Sequence, residues 1–577
     1  MNPILAIRDQ SWRAALLIMA IPCTAMAELT LVGLDDAARA NVAAWLTLDD
    51  LDCAADLGRV RREFQAAESD AAEALSAIGY YSPVIRSEFE SGDLCWSAVL
   101  DIDPGPRTRV RSFDFTRLGA DGDRAFAALE ASPGIQAGEG LDHGRYEAFK
   151  RRLLDAARDR GYIEAAFELS SLEVYPEEQA ADIRITFDAG PRYQFGDVRL
   201  DQDALAEPFV ARYIDIEPGT PFDSEIIGST YVALADSGYF QSIEVTPLEP
   251  DVDTRTIPVR VALIPMPRLR INYGIGFSTD TGPRFRVGRE VRRFNDRGHQ
   301  LTVQSQLSPV ISEVSANYRL PYGDPRFEWA SFDGGVKREN TDSATSESLE
   351  FGVRRVLERA RGWSRTQFVS MLVEDFDVAD QEGRSRLLMP GINWTRLRAD
   401  NTLRPSRGDK LEFELRGAGD ALGSDTSFVQ AIVDYKVIRS FGAGSRMLLR
   451  ARAGGTAEDE FSDLPPSVRF FAGGDNSIRG YGFESLGPQD DAGEVVGGSR
   501  LVVASVEYEY PIGPKWSVAG FVDSGNAFAG STIEARTGAG FGARWQSPLG
   551  PIRIDVGVPV NDREHGPRLH ISLGPDL

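Results

Sequence analysis

Two periodicities divide this chain. From Pro267 onward apolar and polar residues alternate with a period of two and almost no helical spacing, as in strands with one face in an apolar medium. Over 410–416, Leu411, Phe413 and Leu415 share one face, with Lys410, Glu412, Glu414 and Arg416 on the other. Over 551–559, Ile552, Ile554, Val556 and Val558 oppose Arg553 and Asp555; over 569–573, Leu569, Ile571 and Leu573 oppose His570 and Ser572. A soluble sandwich alternates too, but here the repetition continues. Roughly 16 strands of about 9–11 residues can be placed, an even number with short connections, which predicts a transmembrane β-barrel. Eleven precede and five follow a long interruption over 455–498. A closed cylinder of that size has a lumen too wide for side chains to fill, so the interruption is the candidate to enter it.

Before residue 267 the chain repeats itself. Ala74 to Tyr81 (ALSAIGYY) recurs as Ala156 to Ile163 (AARDRGYI) and as Ala233 to Phe240 (ALADSGYF), about eighty residues apart. Each copy reads as a last helical turn, a glycine that takes the left-handed conformation, and an aromatic that opens a strand. Asp103-Pro-Gly-Pro-Arg107 is matched by Asp188-Ala-Gly-Pro-Arg192 and more loosely by Ile264-Pro-Met-Pro-Arg268. Helices over 58–78, 143–160 and 223–237 alternate with strand pairs such as 182–188 and 195–200, giving three small α+β modules.

The chain has 577 residues, too many for one core. Arg8 and Arg13, the apolar run 14–21 and Ala25-Met26-Ala27 predict a secretory leader over 1–27, since the run is too short to span a membrane. In an exported chain Cys53 and Cys95 are more in keeping with a bond than with two reduced buried thiols, and a bond would contribute about 3–4 kcal/mol. A net charge of −24 argues against a nucleic-acid partner. The domain reading is a leader (1–27), modules over 28–107, 108–191 and 192–266, and a barrel over 267–577.

The interruption is not composed like a disordered segment. Phe470, Phe471, Tyr481 and Phe483 alternate with glycines around a single arginine, Arg479, followed by Gly480. Period-two parity places Val502, Ala504, Val506, Tyr508 and Tyr510 toward lipid, hence Ser505, Glu507 and Glu509 inward; likewise Phe521 and Asp523 point inward over 515–523. Over 536–546 the inward face carries Gly538, Gly540 and Gly542, a groove where a backbone could lie close. An arginine drawn into such a lumen needs carboxylates, with Asp523 the first candidate and Glu507 the second. His143, His299, His565 and His570 make no metal-ligand spacing, no nucleophile elbow or zinc helix is present, and the strand glycines are not phosphate loops. The residues point to no enzyme, no metal and no cofactor.

With these pieces together, the mature chain resembles the BamA/TamA superfamily of outer-membrane assembly factors, and within it the TamA branch. The resemblance rests on three POTRA-type modules, a 16-stranded barrel, Ile478-Arg479-Gly480-Tyr481, Phe521-Val522-Asp523-Ser524-Gly525, the run from Leu464 to Pro488 and the terminus Leu573-Gly-Pro-Asp-Leu577. It implies an Arg479–Asp523 contact that holds the loop inside. It also implies a weak lateral seam between the first and last strands, over 268–277 and 568–574, with Ile271, Tyr273, Ile275, Leu569, Ile571 and Leu573 at its edges. The implied partners are a TamB-like protein anchored in the inner membrane, client outer-membrane proteins such as autotransporters, and outer-membrane lipid. Two other readings are the exporting pore of a two-partner secretion system, usually with two modules and a plugging helix, and the general insertase, normally with five modules.

Overall fold

The computed structural model describes residues 27–92, 95–359, 362–401, 404–442, 444–547, 550–562 and 566–573. The leader up to residue 26, His565 and the terminal residues 574–577 lie outside them. The chain divides into two compact units: one holds residues up to Gly196 with Pro218–Glu225 and Glu249–Ile257, the other Asp197–Glu217, Ile226–Leu248 and everything from Pro258.

The repeated glycine motif is a helix stop. The helices α1 (Asp36–Trp45), α2 (Leu57–Ala77), α3 (Arg124–Ala131) and α4 (His143–Asp159) all begin at an aspartate whose carboxylate accepts a backbone N–H of the first turn. At the end of α2, Gly79 has φ +95 and the Tyr80 N–H donates to the Leu75 carbonyl at 3.0 Å. At the end of α4, Gly161 has φ +81 and the Tyr162 N–H donates to the Ala157 carbonyl at 2.8 Å. These six-residue closures satisfy carbonyls that a helix end leaves open, and they turn the aromatic back against the module core. Around the fourth helix, Phe149, Leu153, Phe126, Ile183, Ile185 and Phe187 form the buried centre of the second module.

Each module carries a three-stranded sheet with its last strand in the middle. In the first, β1 (Glu28–Val32) runs parallel to β3 (Trp96–Asp103), which pairs antiparallel with β2 (Val84–Ser91). The second repeats this with β4 (Arg109–Leu118), β5 (Ala166–Tyr175) and β6 (Ala180–Asp188), and the third has β7 (Gln194–Asp201), β8 (Phe240–Pro247) and β9 (Thr256–Pro265), together with α5 (Glu207–Val210) and α6 (Ser224–Asp236). The segments read as a pair over 182–188 and 195–200 therefore belong to different sheets: one ends the second module and the other opens the third. Cys53 and Cys95 are joined by a disulfide within the first module.

The repeated Pro-Arg ending also has a structural meaning. Arg107 Nε donates to the Ile78 carbonyl at the end of α2, and its Nη2 reaches the Leu141 carbonyl. Arg192 does the same with the carbonyls of Arg160 and Phe222. Arg268, the loosest match, departs from the pattern and donates to the carbonyls of Arg293 and Phe294.

The second half forms one antiparallel sheet of sixteen strands among the described residues, in sequential order. Its first six strands are β10 (Leu269–Ser278), β11 (Gly282–Val291), β12 (Gln300–Leu307), β13 (Ile311–Pro321), β14 (Glu328–Asn340) and β15 (Ala344–Arg359). Five more precede the long loop: β16 (Trp363–Val378), β17 (Gln381–Ala399), β18 (Arg407–Ala418), β19 (Phe428–Phe441) and β20 (Ser445–Glu458). The five that follow are β21 (Arg500–Pro511), β22 (Trp516–Phe528), β23 (Arg536–Ser547), β24 (Gly550–Pro559) and β25 (Arg568–Leu573). The long loop thus begins after Glu458 rather than at 455.

Strand length is less uniform than the alternation suggests: β17 runs for 19 residues and β25 for six described ones. Period-two counting cannot separate the part of a strand inside a membrane from its continuation beyond. Val502, Val506, Tyr508, Tyr510, Trp516, Val518 and Val522 are exposed on the outer face, as the parity predicts. No helix among the described residues is long and apolar enough to cross a membrane.

Candidate functional site

The loop between β20 and β21 folds back through antiparallel bridges, Phe470 to Gly498 and Ala472 to Leu486. Phe470, Ala472, Ile478, Tyr481 and Leu486 pack with Leu501, Val503 and Ala527 on the inner wall. The Phe470 ring occupies the space that a Cβ on Gly454 would take. At the root of the loop Arg469 donates to three carbonyls, Leu464 at 2.7 Å, Val496 at 3.0 Å and Ser462 at 3.0 Å, closing a ring of backbone that has no ladder of its own.

Arg479 sits at the loop tip and is 5% exposed. Its Nε donates to Asp523 Oδ2 at 2.7 Å and its Nη2 to Asp523 Oδ1 at 2.9 Å, a two-point fork, while its own backbone N–H reaches Oδ2 at 3.1 Å. Nη1 is shared by Glu507 at 2.6 Å and Asp555 at 3.1 Å. The guanidinium carbon lies 3.5 Å from the centroid of the Phe521 ring. Arg544 bridges the same two carboxylates from the other side, meeting Glu507 and Asp555 at 2.6 Å each. Arg446 pairs with the neighbouring Glu509 at 2.6 Å. Burial of so many charges is tolerable only because each carboxylate is met by at least one arginine; the network fixes position more than it adds stability.

Strand register explains why these residues converge. Ser505, Asp523 and Gly538 stand in one row across β21, β22 and β23; Glu507, Phe521, Gly540 and Gly557 form the next, and Glu509, Ala519, Gly542 and Asp555 the one after. The three glycines expected to form one groove do three different jobs. A Cβ on Gly538 would overlap the Arg479 carbonyl oxygen, so this glycine admits the loop backbone. Gly540 leaves room for the Val556 carbonyl and the Phe521 ring, and Gly542 for the Asp555 carboxylate. The loop's second close approach is to Gly557, whose Cβ would come 2.6 Å from the Gly480 nitrogen.

Gly480 has φ +101 and donates its N–H to His570 Nε2 at 2.8 Å. Tyr481 is buried beside it and stands outside the ion cluster; its hydroxyl reaches Asn561 at 3.5 Å. Sequence reasoning missed Asp555, Arg544 and Gly557 as members of the site and saw His570 only as a lumen residue. Parity was the available signal: Asp555 opposes the lipid-facing Ile554 and Val556, and Arg544 continues the inward row of Gly538, Gly540 and Gly542.

The first and last strands do not share a ladder among the described residues: β10 pairs with β11 and β25 with β24. They meet where the Thr279 N–H donates to the Ile571 carbonyl at 3.3 Å and the Ile571 N–H donates to Thr279 Oγ1 at 3.1 Å. The closed cylinder expected from periodicity is therefore a nearly closed one. Ile271, Tyr273 and Ile275 are exposed on the outer face, as is Leu569; Ile571 and Leu573 are half-buried. Of the six expected seam residues, Ile571 bonds across to Thr279, and the Leu573 carbonyl accepts from Arg284 at 3.5 Å.

Asp280, Asp475 and His570 bring donor atoms within 4.8 Å of one another, a spacing that a divalent ion could use. Both imidazole nitrogens are already engaged, one with Asp475 and one with the Gly480 N–H, so the histidine offers no free lone pair and the set does not fit a metal centre.

A sixteen-stranded barrel with an apolar exterior, a loop pinned inside it and small α+β modules ahead of it defines a class, the modular outer-membrane β-barrel. Residues 293–575 match the Omp85 superfamily domain, and residues 28–104 match the first POTRA domain of TamA. The chain belongs to the Omp85 superfamily, the BamA/TamA group of outer-membrane proteins.

Among curated relatives, "Outer membrane protein assembly factor BamA" of Nitratidesulfovibrio vulgaris is 23% identical over 449 residues, covering 73% of this chain and 56% of that protein. "Outer envelope protein 80, chloroplastic" of Arabidopsis thaliana is 34% identical over 144 residues, 23% of this chain and 18% of that one. The chain thus spans about half the length of the first relative and about a fifth of the second. In fold it is similar to the crystal structure of BamA from Haemophilus ducreyi lacking POTRA domains 1-3, with a TM-score of 0.68 at 16% identity over 80% of this chain and 100% of that one.

Proposed function

We propose that this protein is a TamA-like assembly factor that supports insertion or translocation of β-barrel clients, autotransporters among them, by strand exchange at the seam between β10 and β25. The observation that carries this reading is the ladder missing among the described residues: two strand edges lie side by side there with one exchanged pair of bonds around Thr279 and Ile571. An edge with unpaired N–H and C=O groups is a template for another strand, and a short last strand has few bonds to break. No covalent step is involved, so the reading asks for no enzyme activity and no cofactor; the free energy comes from the client's own folding. The modules extend into the periplasm as a docking arm for a TamB-like partner anchored in the inner membrane. A disulfide placed between Thr279→Cys and Ile571→Cys should abolish client insertion until it is reduced. Full insertion with the lock closed would overturn the seam mechanism.

A further inference from the structure

The inserted loop reaches across the seam through one residue. Asp475 Oδ2 accepts from Ser278 Oγ at 2.9 Å, and its Oδ1 accepts from Thr279 Oγ1 at 2.9 Å. The Asp475 N–H donates to Asp280 Oδ2 at 2.7 Å. Those partners lie at the end of β10 and in the turn that follows it. On the other strand of the seam, His570 Nδ1 is 2.6 Å from the same Asp475 Oδ1. A backbone N–H can only donate, so the contact from Gly480 makes Nε2 the acceptor and leaves the ring hydrogen on Nδ1, aimed at Asp475. A single carboxylate thus holds both end strands at the place where they have little ladder of their own.

The two attachments are unequal. On the β25 side the same loop is also fastened by Arg479 to Glu507 on β21, Asp523 on β22 and Asp555 on β24. Pulling Arg479 out would leave the buried Asp523 without its cation and strip Glu507 and Asp555 of one of their two arginines, the costly way to break a charge network. On the β10 side Asp475 accepts from two hydroxyls and donates its N–H to one carboxylate, and these groups exchange partners with water readily once exposed. Asp280 Oδ1 is buried without a hydrogen-bond partner, so this attachment includes an unsatisfied acceptor.

We propose that Asp475 is a positioning clasp for the seam, and that the seam opens by release of Ser278, Thr279 and Asp280 while the loop stays with β21–β25. The use of this motion in client insertion rests on the function proposed above; the clasp itself rests on the bonds just described.

The test uses the full-length protein in lipid nanodiscs with pairs of spin labels. One pair, on Phe277→Cys and Val558→Cys, reads the seam; a second, on Glu494→Cys and Val558→Cys, reads the loop against the last strands. In Asp475→Ala the seam distance should lengthen by about one strand spacing, ~5 Å, in part of the population, while the loop distance stays unchanged. Asp280→Ala removes the acceptor of the Asp475 N–H, bonds to nothing on β25, and should shift the seam in the same sense. It carries the same readout if Asp475→Ala does not assemble. An unchanged seam distance overturns the clasp. A loop distance that lengthens together with the seam overturns the assignment of the releasing side. Client insertion measured in parallel separates the two ideas: a widened seam with unaltered insertion keeps the clasp and removes the proposed function.

Discussion

Arg479 and Asp523 meet at three points, two from the guanidinium and one from the arginine's own backbone N–H, so this pair fixes the loop's main chain as well as its side chain. The third contact is the one that a salt bridge between mobile side chains would lack. It ties the loop tip to β22 even before the other carboxylates are counted.

Removing either partner should be expensive and removing both less so. Arg479→Ala and Asp523→Ala are each expected to destabilise the barrel by about 3–5 kcal/mol, because the first leaves the Asp523 carboxylate buried without its cation and the second leaves Nε, Nη2 and the backbone N–H of Arg479 buried without that carboxylate. The double variant should fall well short of the sum. Thermal unfolding in detergent, followed by the gel-mobility shift of folded barrel, measures all three; additive losses would show that the pair is not coupled. Arg479→Lys should not rescue, since an ammonium cannot make the two-point contact.

Gly538→Ala should expel the loop tip without touching a charge. Its Cβ would overlap the Arg479 carbonyl oxygen, and that oxygen belongs to backbone held on both sides. The expected result is new protease cleavage between residues 470 and 488. Gly520→Ala on the outer face has nothing within 4 Å and serves as the control, with a stability change within about 0.5 kcal/mol.

The second module should lose stability in acid through one identifiable pair. Arg111 Nε donates to Asp182 at 3.0 Å, a second bond runs between Arg111 Nη2 and the same carboxylate, and Ser112 donates to it as well. These hydrogen bonds, Arg111 first, pull the Asp182 carboxyl down to about 2. A depressed folded-state value means that the stabilisation is complete above the ordinary carboxylate range near pH 4 and is lost as pH falls through about 2. Melting curves of Asp182→Asn and the parent should therefore converge between roughly pH 4 and pH 2. A gap that persists to the lowest pH would assign the effect to packing instead.

The readable part of this molecule was the part with a local cause. The glycine closures at Gly79 and Gly161 are set by six consecutive residues, and the strand faces by adjacent ones, so the modules and the barrel could be placed from the chain alone. The partners of Arg479 were half readable. Parity gave Asp523 and Glu507 an inward direction, but choosing Asp555 as well requires knowing that β23 and β24 pair Gly542 with Asp555, a fact of register rather than of spacing. Gly540 and Gly542 were misread for the same reason: their clearance serves a ring and a carboxylate that arrive from neighbouring strands. His570 carries no motif, and its role emerges only because Asp475, ninety-five positions earlier, is folded back onto it.

The uneven strand lengths give the cylinder a high side and a low side. β16 and β17, of 16 and 19 residues, stand about halfway round the sheet from β10 and β25, of ten and six described residues. At about 3.3 Å per residue the long strands outreach the apolar slab of a bilayer by a wide margin, while the short ones barely match it. The tall wall stands as a parapet beyond the apolar slab, and the gap in the ladder lies between the two short strands on the opposite side.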